Sequence, residues 1–285
     1  MRHFLLVILL LAGISSVNVY GQSYLTRMEI GLNFGASQYF GDLNDNYGFK
    51  TIAPAGGMYI RRHMNNYISL KLMGNYTHVG YDDKFNSDPY EKIRNLNFQS
   101  DIYEMSFQAE FNFFKFITGD KYYRVTPYLT GGVGMFYFDS KTTYQGQKYS
   151  LKSQGTEGQY VGFAGRKYQN ISPCFPIGLG VKAWLFRGVN VTFEIADRLS
   201  TTDYLDDVSS TYAGSNRFPV GSVAAALQDR SVELTPNTPL GRAGKQRGNT
   251  SSYDQYIMAI LSVSFHFTTY KCPSNFNNYD YIRSY

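Results

Sequence analysis

"QYIMAILSVSFHF", residues 255–267, is the stretch on which the fold turns. Ile257, Ala259, Leu261, Val263, Phe265 and Phe267 occupy every second position, and Tyr256, Met258, Ile260, Ser262, Ser264 and His266 stand between them. Successive side chains of a strand point to opposite faces, so this run has one apolar face and one mixed face. A soluble sandwich would turn the apolar face inward. A membrane barrel turns it outward.

The first residues bear on that choice. Arg2 and His3 precede an apolar run from Phe4 to Ala12, and Val19-Tyr20-Gly21 supplies a small-residue exit before Gln22. That order describes a secretory signal peptide over residues 1–21. The apolar run is too short for a membrane helix, which needs about 20 apolar residues. No Cys stands at the expected cleavage point, which argues against a lipoprotein. Removing 1–21 from 285 residues leaves 264, enough for one large domain, taken as residues 22–267 with a tail at 268–285. The net charge of +5 is scattered, and with export it leaves a nucleic-acid partner without support.

Seven further segments show strand character. They are "MEIGLNFGASQYF" (28–40), "APAGGMYIR" (53–61), "YISLKLMGNYT" (67–77), "DIYEMSFQAEFNFF" (101–114), "TPYLTGGVGMFYF" (126–138), "FPIGLGVKAWLF" (175–186) and "VNVTFEIADRL" (189–199). Alternating segments of about ten residues separated by turns are the pattern of transmembrane β-barrels, although secreted sandwiches alternate too. The connections separate the two. Those at 62–66, 115–125 and 187–188 are short or moderate, whereas those after residue 40 and at 78–100, 139–174 and 200–254 are long. Short turns at one end and long loops at the other fit an all-β, eight-stranded, antiparallel up-and-down barrel with periplasmic turns and termini.

Eight strands leave an interior just wide enough for side chains to fill. The polar faces carry Glu29, Lys71, Glu104, Glu110, Lys182, Glu194 and Arg198. Inside a barrel these must pair, because an unpaired buried charge is expensive. Lys71, Glu104, Glu110, Lys182, Glu194 and Arg198 are therefore expected to form a lumenal charge network that closes the interior to solutes. Tyr39, Phe40, Phe113, Phe114, Phe136, Tyr137, Phe138, Phe265 and Phe267 lie near strand ends and are expected to form interfacial girdles.

Chemistry-bearing constellations are few. "DLNDNYG" (42–48) has Asp42, Asn44 and Asn46 on alternate positions, but Tyr47 and Ala53 stand where a calcium loop needs Gly and Glu, so a polar turn is expected. Asp203, Asp206 and Asp207 are expected on a solvated loop or docking surface, and His63 in a short turn. His78, near Asp82 and Asp83, shares the lipid-facing parity, and His266 with Ser264 shows no oxyanion arrangement. No phosphate loop, nucleophile elbow or zinc spacing is visible. No catalytic residue, cofactor or metal site is assigned.

"GASQYFGDLN" (35–44), "RNLNFQSDIYEMSFQAEFNFF" (94–114), "TPYLTGGVGMFYF" (126–138), "GTEGQ" (155–159), "PIGLGVK" (176–182) and "TDYLDDVS" (202–209) together resemble the PorG-like outer-membrane barrels of Bacteroidota. The resemblance runs in order from about residue 28 to 267. It implies a non-enzymatic component of the type IX protein secretion machinery, linked to gliding in some of these bacteria. The partners it implies are a periplasmic ring of a PorK-like lipoprotein and PorN, at an outer membrane of lipid and lipopolysaccharide. It brings no catalytic residue, and the insert at 210–252 has no counterpart in it; part of that insert is expected to be disordered.

Two other functions compete: a small barrel serving adhesion or envelope stability through its long loops, and a lipid-modifying or proteolytic barrel enzyme. For a periplasmic partner the available surface is the short turns and the tail. Arg61, Arg62, Tyr122, Tyr123 and Arg124 are the candidate contacts, since Arg and Tyr are favoured at interface hot spots. Cys174 and Cys272 are placed at opposite ends of an apolar band about 25 Å tall. A disulfide needs Cα atoms within about 7 Å, and five residues beyond Phe267 reach only about 18 Å. No bond between them is expected.

Overall fold

The strands meet edge to edge until the sheet closes. A computed structural model describes residues 25–186 and 188–270, with the compact unit spanning Arg27–Phe267. Its strands are β1 (Leu25–Phe40), β2 (Ala53–His63), β3 (Ile68–Asp82), β4 (Asn97–Asn112), β5 (Val125–Tyr144), β6 (Gln147–Ser150), β7 (Ile171–Phe186), β8 (Val189–Ser200) and β9 (Gln255–Tyr270). The order β4-β3-β2-β1-β9-β8-β7-β5 closes through β4–β5 pairing, which makes an eight-stranded antiparallel barrel. β6 pairs only with β5 and extends it as a hairpin, through Gln145 (φ 50°) and Gly146 (φ 79°). Two consecutive positive φ values suit the tight hairpin turn whose twist matches the strands.

The alternation of residues 255–267 has the predicted sense. Leu261, Val263, Phe265 and Phe267 are exposed, while Tyr256, Met258, Ile260, Ser262 and Ser264 are buried. The same apolar outer face continues through Ile30, Leu32, Phe34, Leu72, Met105, Phe107, Val133, Ile177 and Leu179, with Phe34 and Met105 each 62 % exposed. Soluble monomers rarely expose contiguous apolar patches larger than a few hundred Å². With the sheet closed, so that each barrel strand has a paired neighbour on both edges, this is an outer-membrane type of β-barrel. No described helix is long and apolar enough to cross a membrane.

Several strands run further toward the long loops than the apolar alternation suggests. β3 continues to Asp82, β4 starts at Asn97, β5 reaches Tyr144, and β7 starts at Ile171, so Cys174 lies within β7 and not before it. Toward this end the inward positions become apolar, with Tyr81, Phe98, Ile102, Phe136 and Phe138 turned inward. Tyr39, Phe40, Phe136 and Phe138 are therefore buried and do not belong to a girdle; Tyr39, Phe136 and Phe138 join a core with Phe98, Leu43, Leu205 and Tyr256. Phe113, Phe114, Tyr137, Phe265 and Phe267 are exposed.

The long loops fold over this end as a cap. Short helices at Pro89–Arg94 and Val223–Gln228 start at side-chain caps from Asp88 and Ser222. The segment expected to be partly disordered instead buries Tyr212, Ala213, Leu227, Gln228 and Arg247. β9 takes in the first three residues of the expected tail, while the signal-peptide segment, residues 271–285 with Cys272, and Arg187 lie outside the described residues.

Candidate functional site

Three regions carry the polar chemistry: the lumen, the short-turn end and the cap. In the lumen, alternation delivers one inward side chain from every second position, and the register brings opposite charges level. Lys71 Nζ lies 2.6 Å from Glu194 Oε2 and 3.2 Å from Glu110 Oε1. Lys182 Nζ donates to Glu110 Oε2 at 2.7 Å, and Arg198 Nε to Glu104 Oε2 at 3.2 Å. Tyr128 and Tyr256 hydroxyls donate to Glu194 and Glu104 at 2.7 and 2.9 Å. All six residues of the expected network are buried. Each carboxylate gains charged or hydroxyl donors, which offsets much of the desolvation that burial imposes.

Arg61 belongs to this network, and here the docking assignment is corrected. It is 1 % exposed, donating from Nη1 to Glu29 Oε2 at 2.7 Å and from Nη2 to Glu110 Oε1 at 3.0 Å. β2 runs through Arg61 to His63, so strand parity sends Arg61 inward and Arg62 outward. Arg62, Tyr122, Tyr123 and Arg124 are exposed, Tyr122 at 91 %. Lys115 Nζ sits 4.4 Å from the centre of the Tyr123 ring, a cation–π contact on that turn.

His63 is likewise not in a turn. It ends β2 and faces the mouth of the lumen, with Nε2 2.6 Å from Glu29 Oε1 and Nδ1 2.8 Å from Ser69 Oγ. His266 Nδ1 lies 3.9 Å from the same Glu29 oxygen. Spacing could not reveal this grouping, because the three residues come from β1, β2 and β9. His78 sits on the outer surface, its Nδ1 3.0 Å from Asp101 Oδ1.

In the cap, Asp203, Asp206 and Asp207 are buried, not solvated. The Tyr39 hydroxyl lies 2.6 Å from Asp206 Oδ2 and 3.0 Å from Asp254 Oδ1. The single phenol proton is thus set between two carboxyl groups. Burial first, then neighbouring carboxylates, push both aspartates well above the usual range. Burial likewise raises Asp42 and Asp203 to about 7 and Asp207 to about 6.

Around them, Arg94 holds Asp83 through two nitrogens at 2.8 and 2.7 Å and donates to the carbonyls of Asp42 and Arg247. Glu157 accepts from the Ser209 and Ser210 amides and from Arg247 Nη1, and Thr156 donates to Asp207. The segments 35–44, 155–159 and 202–209, separated in sequence, thus meet in one polar core.

The family described as a domain of unknown function (DUF6089) matches residues 2–225. The chain belongs to that family. A comparison with curated proteins finds no match. Among solved structures, the chain is similar to the attachment invasion locus protein Ail of Yersinia pestis in complex with the heparin analogue sucrose octasulfate, at 11 % identity and a TM-score of 0.41, covering 85 % of this chain and 99 % of Ail. It is also similar to the N-terminal β-barrel domain of Pseudomonas aeruginosa OprF, at 11 % identity and a TM-score of 0.36, covering 85 % and 97 %. Neisserial surface protein A gives 10 % identity, a TM-score of 0.37 and coverage of 86 % and 98 %.

Proposed function

We propose that this barrel is a non-enzymatic outer-membrane component of the type IX secretion machinery that anchors a periplasmic ring of PorK-like and PorN-like proteins. The observation that carries a structural role is the lumen, where buried ion pairs join β3, β4, β7 and β8 across the interior. A filled interior suits a membrane post that offers surfaces, not a passage. The secretion assignment rests on the resemblance of the sequence segments to PorG-like barrels. In this reading the strand ends near Arg27, His63 and Phe267 face the periplasm, and the cap faces outward.

The docking surface combines the outward face of β2 at Arg62 with the short connection bearing Tyr122, Tyr123 and Arg124. Exposed Tyr and Arg side chains combine apolar area with charge-assisted donors, the pattern of interface anchors. The test is recovery of periplasmic partners with the solubilised protein, identified by mass spectrometry. Substituting Arg62, Tyr122, Tyr123 and Arg124 together should leave the barrel inserted while partner recovery and secretion fall. Undiminished recovery and secretion would reject this docking surface.

A second reading, adhesion or envelope stability through the cap, is favoured by one feature. A cleft of about 420 Å³ opens between Phe40, Asp42, Tyr90, Arg94 and Tyr253. Loss of surface attachment on cap substitutions, with secretion unchanged, would favour that role.

A further inference from the structure

At the short-turn mouth of the lumen, two histidines converge on the Glu29 carboxylate that Arg61 also binds. Glu29, His63 and His266 each present one ligand atom, and these atoms all lie within 4.8 Å of one another. We propose that these three residues form a binding site for a divalent transition-metal ion of the zinc class, placed at the seam where the first and last barrel strands join.

The donor set is chemically selective. Two imidazoles and one carboxylate make a three-ligand zinc site with a fourth position open to water, and imidazole nitrogen also suits copper, nickel and iron. Calcium and magnesium prefer shells of oxygen and do not fit. The carboxylate is already oriented for one-oxygen binding. Glu29 Oε2 is held by Arg61 Nη1 at 2.7 Å and Ser264 Oγ at 3.1 Å. Oε1 faces both histidines and is steadied by Asn190 Nδ2 at 2.6 Å.

His63 has the supporting contact that metal-binding imidazoles use. A second ring hydrogen bond fixes the tautomer of such a ligand. Ser69 Oγ, 2.8 Å from His63 Nδ1, can donate to that nitrogen or accept from it. Without an ion, Nε2–H donates to Glu29 and the serine donates to Nδ1. With an ion on Nε2, the ring proton lies on Nδ1 and is donated to the serine. Neither state strands a polar atom on this ring.

Arg61 is the opposing charge, but its guanidinium also binds Glu110, so it is not committed to Glu29 alone. The side chains of His63 and His266 retain 7 % and 10 % exposure, so an ion can enter from the aqueous end and keep a water ligand. Because Glu29 lies on β1, His63 on β2 and His266 on β9, the ion would tie three neighbouring strands across the seam.

The test uses the folded chain without a histidine tag, stripped with chelator and dialysed against zinc alone. Uptake of one equivalent is expected, unaffected by excess calcium or magnesium, with a raised unfolding temperature. His63→Gln and His266→Gln should each weaken uptake at least tenfold and remove the thermal gain, whereas His78→Gln should change neither. Heat-modifiable gel mobility checks that each variant is folded. If a variant does not fold, cobalt added to the unaltered chain decides instead: nitrogen-ligated absorption bands support the site, and a spectrum of hydrated cobalt overturns it. Absence of zinc uptake, or uptake by both folded glutamine variants as tight as that of the unaltered chain, also overturns it.

Discussion

Lys71 Nζ on β3 lies 2.6 Å from Glu194 Oε2 on β8, a buried ion pair joining opposite walls of the barrel. Lys71 also reaches Glu110, which in turn binds Lys182 and Arg61. Glu110 is thus the carboxylate on which three cations converge. Glu110→Gln should destabilise the barrel by about 3–5 kcal/mol, because it leaves buried cations undercompensated. Urea unfolding in lipid vesicles measures the loss. A midpoint equal to that of the unaltered protein would mean that the cations find other partners.

Arg61 and Arg62 are adjacent in sequence and opposite in environment. Arg61→Ala should cost about 3–5 kcal/mol, since Glu29 and Glu110 lose a buried partner. Arg62→Ala should stay within about 0.5 kcal/mol, as surface changes usually do. Parallel unfolding titrations separate them. Equal costs would contradict the inward and outward assignment.

Much of this architecture was legible because lipid enforces a simple rule. In β3, β4 and β9, apolar residues on alternate positions could only face one way once the connections alternated in length. The rule fails where strands leave the bilayer. Tyr39, Phe136 and Phe138 look like girdle residues from their end positions, yet they pack inward beneath the cap. Asp206 and Asp207 look solvated because their side-chain partners are remote in sequence. Their partners, Tyr39 and Thr156, are 167 and 51 positions away. The apolar alternation of β2 fades at Arg61, which makes Arg61 and His63 look like turn residues although the strand continues to His63. Glu29, His63 and His266 meet only when the barrel closes.

The cap should loosen as pH rises. Asp42, Asp203 and Asp207 have folded values near 7, 7 and 6, above the ordinary aspartate value. The folded state therefore holds more protons than the unfolded state between about pH 4 and 7. Their stabilising contribution is complete below about pH 4 and is lost as pH passes through 6–7. Hydrogen exchange, corrected for its intrinsic pH dependence, should show stronger protection of 201–212 at pH 5 than at pH 8. Asp206→Asn should flatten the difference. Protection that increases toward pH 8 would reverse the sign and contradict the account.

Gly35 on β1 lies close against β9 at the seam. A Cβ added there would lie 2.1 Å from the Ala259 carbonyl oxygen on β9. Gly35→Val should push β1 from β9 and cost about 1–3 kcal/mol by overpacking. The unfolding midpoint measures this, with Gly74→Ala as the comparison, since nothing lies within 4 Å of an added Cβ there. Equal midpoints for the two variants would argue against tight packing at the seam.

The filled lumen is the claim on which the structural reading depends, and planar-bilayer recording tests it most directly. With Arg61, Lys71, Glu110, Lys182 and Glu194 paired across the interior, the reconstituted protein should give no steady single-channel current at moderate voltage. Reproducible large open-channel steps, abolished when the protein is unfolded, would contradict the account.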